Sequence, residues 1–276
     1  MEDQSPRRRA VEFFRPSFRY SMETEVHVFA FAVAASVLLS FFPFLIVMVS
    51  LCKYVLHWPA AVKAVELALA DYFPGDLGQF IQRNLTATVQ ARGPFQITSI
   101  FLLLFTANGV FEPLEVALNR VWGVTRNRTF LRNQLVSLGL IFLCGGLAFL
   151  SFVLTAMNRD LVAGSSHMPK WAGLILFKMI AIPVSMLGLF LMYWLLPNRK
   201  IAPARMIPVA ILVGLVLELL KYVNLLTWPM LKAKLLNEYG PFYISVSIVL
   251  WSFVSAMVVL LGAEWSARNG RSVILK

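Results

Sequence analysis

The stretch VFAFAVAASVLLSFFPFLIVMVSLC, residues 28–52, decides the fold of this chain. Its 25 residues include no Asp, Glu, Lys or Arg, and about 20 apolar residues in a helix already span the hydrocarbon core of a bilayer. A helix suits that solvent because its backbone polar groups pair within the segment. The run is longer than the apolar core of a signal peptide, about 7 to 15 residues, so it predicts a retained transmembrane helix.

Composition extends this interpretation to the whole chain of 276 residues. Hydrophobic residues make up 59% and charged residues 14%, whereas a soluble domain carries about 25% charged residues. The predicted fold class is therefore all-α, a polytopic membrane protein with about six transmembrane helices. The predicted spans are residues 28–52, 95–110, 135–157, 171–196, 206–228 and 242–263.

The basic residues predict how these spans are oriented. The leader, the second and fourth connections and the tail hold 15 Lys and Arg, and the other three connections hold 8. Because cytoplasmic loops are kept positive, both termini are predicted in the cytoplasm, with the chain in a bacterial inner membrane. The same rule accounts for the net charge of +11. The expected organisation is a cytoplasmic leader (1–27), one transmembrane domain (28–264) and a cytoplasmic tail (265–276).

Two of the connections carry helical patterns. Between residues 58 and 92, apolar residues recur at helical spacing on both sides of Phe73-Pro74-Gly75-Asp76. This predicts an external amphipathic helical hairpin that either covers the bundle or lies on the bilayer. Residues 112–133 predict a cytoplasmic amphipathic segment that continues from the second span. Its basic end is expected either to contact anionic headgroups or to form a solvated charged face.

Three ionisable residues fall inside predicted spans: Lys178, Glu218 and Lys221. A charge in hydrocarbon costs about 2.5 to 3.5 kcal/mol, so each needs a partner or a wet cavity. Glu218 and Lys221 can pair on one helix face; Asn224 lies one turn further on, and Lys178 is predicted at a similar depth. One interpretation is a polar site on a substrate or proton path. The other is an ion pair that only fixes helix packing.

Further polar residues and two prolines complete the candidate positions. Asn108, in the second span, is added to the pathway candidates. At the cytoplasmic face the candidates are Glu112, Glu115, Asn119, Arg120 and Glu264. For Glu264, and likewise for Glu112, the alternative is a charge that only marks the membrane boundary. Pro43 and Pro183 lie inside the first and fourth spans and are expected to kink those helices.

The sequence carries no enzyme signature. His27, His57 and His167 are scattered, and no H-x-x-x-H, Cys-x-x-Cys, P-loop or G-x-S-x-G pattern occurs. We therefore predict no catalytic residue, no metal ligand and no cofactor. Cys52 and Cys144 lie in or beside apolar runs and are expected to be small buried hydrophobes.

Six motifs give the chain a family resemblance. They are SFFPFLIVMVSL (40–51), FEPLEVALNRVWGV (111–124), YWLLPNRK (193–200), LELLKY (217–222), EYG (238–240) and VLLGAEW (259–265). In this order they resemble the bacterial YihY / virulence factor BrkB family, which has also carried the label ribonuclease BN. The resemblance implies an inner-membrane protein of about six helices. The family-pattern positions, none with an implied catalytic role, are Pro43, Glu115, Asn119, Arg120, Trp122, Pro197, Asn198, Glu218, Lys221, Tyr222, Tyr239, Gly240, Gly262 and Glu264.

Three functional hypotheses follow from the sequence. The first is an envelope transporter or lipid-handling protein with a polar intramembrane site at Glu218 and Lys221. The second is a non-catalytic membrane scaffold or assembly protein, and the third and least favoured is a membrane ribonuclease. The expected partners are membrane lipids, with anionic headgroups at the basic cytoplasmic segments. A homo-oligomer is left open, and nucleic acid is not expected as a partner.

Overall fold

The computed structural model of the chain describes residues 18–73, 75–90, 94–124 and 170–274, together with short pieces between residues 129 and 150. All of the regular structure in these residues is helical, which confirms the all-α fold class. About half of the third predicted span, 135–157, lies outside the described residues, as does the leader up to residue 17.

The helices of the described residues are numbered here along the chain. They are α1 (Thr24–Ser50), α2 (Pro59–Tyr72), α3 (Asp76–Gln90), α4 (Pro94–Val121), α5 (Lys170–Leu195), α6 (Pro203–Tyr239) and α7 (Tyr243–Ile274). A π-helical turn, Leu51–Val55, follows α1, and a 3-10 turn, Gly240–Phe242, joins α6 to α7.

Five of the predicted spans coincide with the helices α1, α4, α5, α6 and α7. Two helical runs of the described residues, Glu25–Val55 and Pro203–Arg268, are long and apolar enough to cross a membrane. The second run turns back on itself at Gly240, where φ is +53°. The number of spans, their orientation and the division into leader, membrane domain and tail stay predictions.

Helix α6 is longer than the span predicted within it. It contains 37 residues, which at 1.5 Å per residue is about 55 Å, against roughly 30 Å for the hydrocarbon core. The predicted end at residue 228 is therefore not the end of the helix, because the residues after Pro229 favour helix until Gly240 stops it.

Helix α1 runs antiparallel to α4. At one end Glu25 forms an ion pair with Arg120, and further along a Cβ on Gly109 would lie 2.5 Å from Oγ of Ser36. Glycine at 109 therefore permits the close approach of the two helices. On its other side α1 contacts α7, where the ring centroids of Phe31 and Phe253 are 4.3 Å apart. Helix α6 in turn packs against both α7 and α5.

The pair of helices α2 and α3 covers one end of the bundle, which we call the hairpin end. Tyr54 Oη, next to α1, donates a hydrogen bond of 2.8 Å to the carbonyl of Val89. The break between the two helices lies at Gly75, whose φ is +63°. Five apolar side chains of the hairpin are buried in one cluster with residues of α1 and with Trp228: Val65, Leu69, Ile81, Leu85 and Val89. The predicted helices are thus present and their apolar face packs on the bundle; their external location stays a prediction.

Gly262 lets α7 pack closely against α5 and α6. A Cβ at this position would clash with Cγ2 of Val213 and would lie 2.9 Å from Oη of Tyr193. Tyr193 is buried, and its hydroxyl donates a hydrogen bond of 2.7 Å to the carbonyl of Val259. The three helices are therefore joined here by close packing and by a buried hydrogen bond.

Replacing Gly262 by alanine should lower the stability of the bundle. The added methyl overpacks the contact with Val213, which typically costs about 1 to 3 kcal/mol. The measurement is the thermal unfolding midpoint of the purified protein in detergent, followed by circular dichroism. Gly188→Ala is the matched control, because no described atom lies within 4 Å of a Cβ at Gly188. Equal midpoints for the two variants would contradict the packing described for Gly262.

The predicted topology can be tested with reporter fusions. A fusion after residue 80, in the hairpin, should report an extracytoplasmic location, and a fusion after residue 128 should report a cytoplasmic one. Paired alkaline phosphatase and green fluorescent protein fusions give opposite signals on the two sides. Phosphatase activity from the fusion at residue 128 would overturn the orientation.

Candidate functional site

Glu218 and Lys221 form an ion pair on α6. Oε1 of Glu218 lies 2.6 Å from Nζ of Lys221, and the two side chains are 18% and 7% exposed. A spacing of three residues places both groups on one face of the helix. The pairing expected from the sequence is thus present. What the pair does depends on its surroundings.

A cavity of about 520 Å³ lies beside this ion pair. Its walls come from α1, α4, α5, α6 and α7, with Phe73 of the hairpin at one end. The volume falls within the range of about 300 to 1,000 Å³ that is usual for ligand sites. Most of the lining is apolar, and the polar lining residues are Ser185, Glu218, Lys221, Asn224, Ser247, Trp251, Ser252 and Ser255.

Helix α7 contributes a polar stripe that the sequence analysis missed. Ser247, Trp251 and Ser255 recur at intervals of four residues along one side of the helix, Ser252 follows Trp251, and all four line the cavity. Polar residues at i, i+4 and i+8 within the last span are the signal that could have revealed these serines. Their small side chains leave unfilled the volume that leucine would occupy in a close-packed interior.

The polar groups in the cavity wall include both hydrogen-bond acceptors and a donor. Oγ of Ser247 donates to the carbonyl of Tyr243 at 2.7 Å, and Oγ of Ser185 donates to that of Ile182 at 2.8 Å. These hydroxyl oxygens retain lone pairs that can accept. The indole N–H of Trp251, which can only donate, is buried and has no acceptor among the described residues.

The two ends of the cavity are closed in different ways. At the hairpin end, Phe41 and Phe73 meet edge to face with ring centroids 5.2 Å apart, and both line the cavity. At the opposite end, the packing around Gly262 and the hydrogen bond from Tyr193 to Val259 hold α5, α6 and α7 together. One closure therefore depends on side chains of the hairpin, and the other on closely packed backbone.

A second polar cluster, the Asn119 clasp, joins α4 to the connection between α5 and α6. Oδ1 of Asn119 accepts a hydrogen bond of 2.6 Å from the backbone N–H of Asn198, and its Nδ2 donates to Oε1 of Glu115 at 3.5 Å. Nη1 of Arg199 donates to the carbonyl of Trp122 at 2.9 Å. Glu115 and Asn119 are only 2% and 1% exposed. Glu115 and Asn119 are therefore buried groups that join α4 to this connection.

Charged residues gather around the same end of the bundle. Glu112 is exposed, Arg120 pairs with Glu25, and an oxygen of Glu264 lies 3.9 Å from Nε of Arg268. Tyr20 is close to this group. Burial, together with the charges of Glu23 and Glu264, raises the pKa of its phenol to about 12, because all three disfavour the phenolate. Tyr20 is thus neutral at physiological pH.

Comparison with known proteins places the chain in a family. Residues 17–272 match the family described as Virulence factor BrkB. The chain belongs to this family. Its members named UPF0761 membrane protein include one from Acinetobacter baylyi, 28% identical over 75% of this chain and 50% of its own length, and one from Pseudoalteromonas translucida, 24% identical over 89% and 82%.

A BrkB relative from Bacillus subtilis carries a different name, putative ribonuclease-like protein YfkH. It is 24% identical over 83% of this chain and 85% of its own length. The chain spans only half the length of the Acinetobacter baylyi protein. No solved structure matches the present chain. The comparisons confirm the family resemblance and the assignment to a family of membrane proteins.

The residues that carry the BrkB resemblance fall into distinct structural groups. Asn119 and Asn198 form the clasp, Glu218 and Lys221 line the cavity, and Gly262 lies in the close helix contact. Apart from the ion pair, the polar lining of the cavity comes from residues outside the motifs.

Two predicted pathway residues cannot be placed in the site. Asn108 belongs to α4 and Lys178 to α5, but their side chains lie outside the described residues. Pro43 and Pro183 are inside α1 and α5, as expected from the sequence. Within the described part of the chain, no three His, Cys, Asp or Glu side chains form a group that could hold a metal ion.

Replacing Asn119 by leucine should destabilise this BrkB protein. The backbone N–H of Asn198 would lose its acceptor inside the protein, which typically costs about 1 to 3 kcal/mol. Thermal unfolding in detergent measures the loss. Glu112→Gln, an exposed change on the same helix, is the control and should have the same unfolding midpoint as the wild type. A leucine variant as stable as this control would show that the clasp does not hold α4 in place.

Proposed function

We propose that this BrkB-family protein binds an amphipathic molecule in the cavity beside Glu218 and moves or presents it within the bacterial inner membrane. It would act there as a multi-pass envelope transporter or lipid-handling protein. The observation that carries the proposal is that the Glu218–Lys221 pair lines a cavity of about 520 Å³.

The surroundings of the ion pair favour a site over a packing clasp. A pair that only fixed two helices would gain most from being sealed by apolar side chains, because close packing excludes voids. Here both charged groups line the cavity together with Asn224 and the stripe on α7. Placing charges in hydrocarbon costs about 2.5 to 3.5 kcal/mol each, and a cavity that admits water or a polar ligand offsets this cost.

The lining also favours an amphipathic occupant. Apolar side chains from several helices, among them Val37, Leu189, Leu217 and Ile248, form most of the wall. The charged and hydroxyl groups are concentrated on α6 and α7. A molecule with one polar end and one apolar part matches this division, since each part meets surface of its own kind.

Two other hypotheses remain as alternatives. For a membrane scaffold, changing Glu218→Gln and Lys221→Met together would leave the function intact. For a membrane ribonuclease, the purified protein would have to cleave RNA and lose that activity on a point change. The name of the Bacillus subtilis relative is the only observation that favours the ribonuclease. Clustered acid–base or metal groups, which such chemistry usually needs, are missing from the sequence.

The basic segments suggest how the protein meets the membrane surface. Arg199, Lys200 and Arg205 lie at the connection between α5 and α6, and Lys200 and Arg205 are exposed. We propose that this segment faces the cytoplasm and contacts anionic headgroups, each basic residue contributing about 1 kcal/mol near a charged surface. A homo-oligomer is compatible with this arrangement.

Cysteine labelling tests whether the cavity is accessible. In a background with Cys52 and Cys144 replaced by alanine, Ser252→Cys places a thiol in the cavity wall. Ser266→Cys is the matched control, because it is the same change on the same helix but is 5% exposed and outside the cavity. The cavity thiol should react at least about tenfold faster with a water-soluble thiosulfonate, since reaction needs the solvated thiolate. Equal, slow reaction at both positions would indicate that the Glu218–Lys221 pair is sealed from water, and would favour the scaffold hypothesis.

A further inference from the structure

The charges of the cavity identify the class of its ligand. We propose that it binds a zwitterionic group, with Glu218 binding an ammonium and Lys221 a phosphate or carboxylate a few bonds away. A phosphoethanolamine headgroup and a free amino-phosphate compound share this chemistry. The inference rests on the proposed function, because it requires that the cavity receives a ligand.

The first argument is charge balance. Among the described residues that line the cavity, Glu218 is the only acid and Lys221 the only base, so this wall is neutral overall. A zwitterion can bind both groups and keep the site neutral. A simple anion would engage Lys221 and leave Glu218 without compensation, and a simple cation would do the reverse, which is strongly unfavourable in a buried site.

The second argument is geometry. Glu218 and Lys221 are separated by three residues, a rise of about 4.5 Å along the helix axis. Their contact of 2.6 Å is made by the ends of two flexible side chains, so a ligand can enter between them without movement of the backbone. The two charges then point to positions about one helical turn apart, as suits a compact zwitterion but not two separate ions.

The third argument is the distribution of hydrogen-bonding groups. The indole N–H of Trp251, buried in the same wall, has no acceptor among the described residues, and leaving such a donor unmatched costs about 1 to 3 kcal/mol. An anionic oxygen is the acceptor that this donor needs. The hydroxyl oxygens of Ser185 and Ser247 have given their protons to backbone carbonyls and retain lone pairs that suit an ammonium.

The test measures how lipids protect the thiol of Ser252→Cys from labelling. The full chain, without Cys52 and Cys144, is held in uncharged dodecyl maltoside micelles, and one lipid is added at a time. The probes are dioleoyl phosphatidylethanolamine, which is zwitterionic, dioleoyl phosphatidylglycerol, which is anionic, and dioleoylglycerol, which is neutral. Soluble glycerophosphoethanolamine is the fourth probe, since it carries the headgroup without acyl chains.

We expect phosphatidylethanolamine to protect at concentrations at least about tenfold lower than phosphatidylglycerol or dioleoylglycerol, because only it satisfies both charges. Protection by glycerophosphoethanolamine at equal concentration would identify a soluble zwitterion as the ligand; protection by the lipid alone would identify a headgroup. Either result supports the inference. Equal protection by the zwitterionic and anionic lipids would overturn it.

Charge variants give a second, directional readout. Glu218→Gln leaves Lys221 as the only charge, so the preference should shift toward phosphatidylglycerol. Exchanging the two residues, Glu218→Lys with Lys221→Glu, keeps a neutral pair and should retain the preference for the zwitterion. The exposed pair Lys234 and Glu238 on the same helix supplies the matched controls, Lys234→Met and Glu238→Gln. These changes should leave the lipid preference as it is in the wild type.

Failure of this inference can be distinguished from failure of the proposed function. If the thiol at position 252 reacts rapidly but no lipid class protects selectively, the cavity exists and only the zwitterion assignment is wrong. If that thiol is as unreactive as the one at position 266, the proposed function itself fails. If Glu218→Gln does not fold, the variant with Glu218→Lys and Lys221→Glu still tests the inference. Loss of the preference for the zwitterionic lipid in this variant, when it is folded, overturns the inference.

Discussion

The ion pair between Glu218 and Lys221 is the constraint on which the rest of the structure depends. Because both residues belong to one helix and touch at 2.6 Å, α6 carries its own charge compensation and needs no charged partner on a neighbour. The neighbouring helices therefore need not pack closely over the pair. Helix α7 lines the cavity with three serines as well as Ile248, Trp251 and Val259, and the small side chains of the serines leave room for the cavity.

The two ends of the cavity are closed by different interactions, so separating the helices at each end would break different contacts. Around Gly262, backbone lies against side chains of α5 and α6, and the hydrogen bond from Tyr193 to Val259 is buried. Separating these helices would expose a cavity and an unpaired polar group at once. At the hairpin end, Phe41 and Phe73 meet edge to face, a contact worth about 0.5 to 1.5 kcal/mol beyond the area it buries, and both pack against the buried cluster of the hairpin. The hairpin end is thus closed by side-chain packing, and the opposite end by close helix contact and a buried hydrogen bond.

The sequence predicted those features that depend on local spacing. Apolar runs located the helices, the break before Asp76 separated the two arms of the hairpin, and the interval between Glu218 and Lys221 predicted their contact. Features that depend on how distant helices pack were not predictable. The contact of Asn119 with Asn198 joins residues 79 positions apart, so the sequence could only place Asn119 near a surface. The serine stripe was missed because isolated serines in a span ordinarily indicate close helix contact.

The position of the ion pair along α6 shows which end of the molecule is better placed to respond to an occupant of the cavity. Lys221 lies seven residues before Trp228, about 10 Å along the helix, and Trp228 is buried in the cluster that includes the hairpin. The clasp lies on the other side, and its residue Asn198 precedes the start of α6 at Pro203.

From Pro203 to Glu218 is about 22 Å of helix, and over that distance α6 is held by α5 and α7 at Gly214 and Gly262. Two helical turns thus separate Lys221 from the hairpin contacts, whereas close contacts at both glycines lie between the ion pair and the clasp. The ion pair is therefore nearer to the hairpin contacts than to the clasp, and the close packing around Gly262 lies between the pair and the clasp.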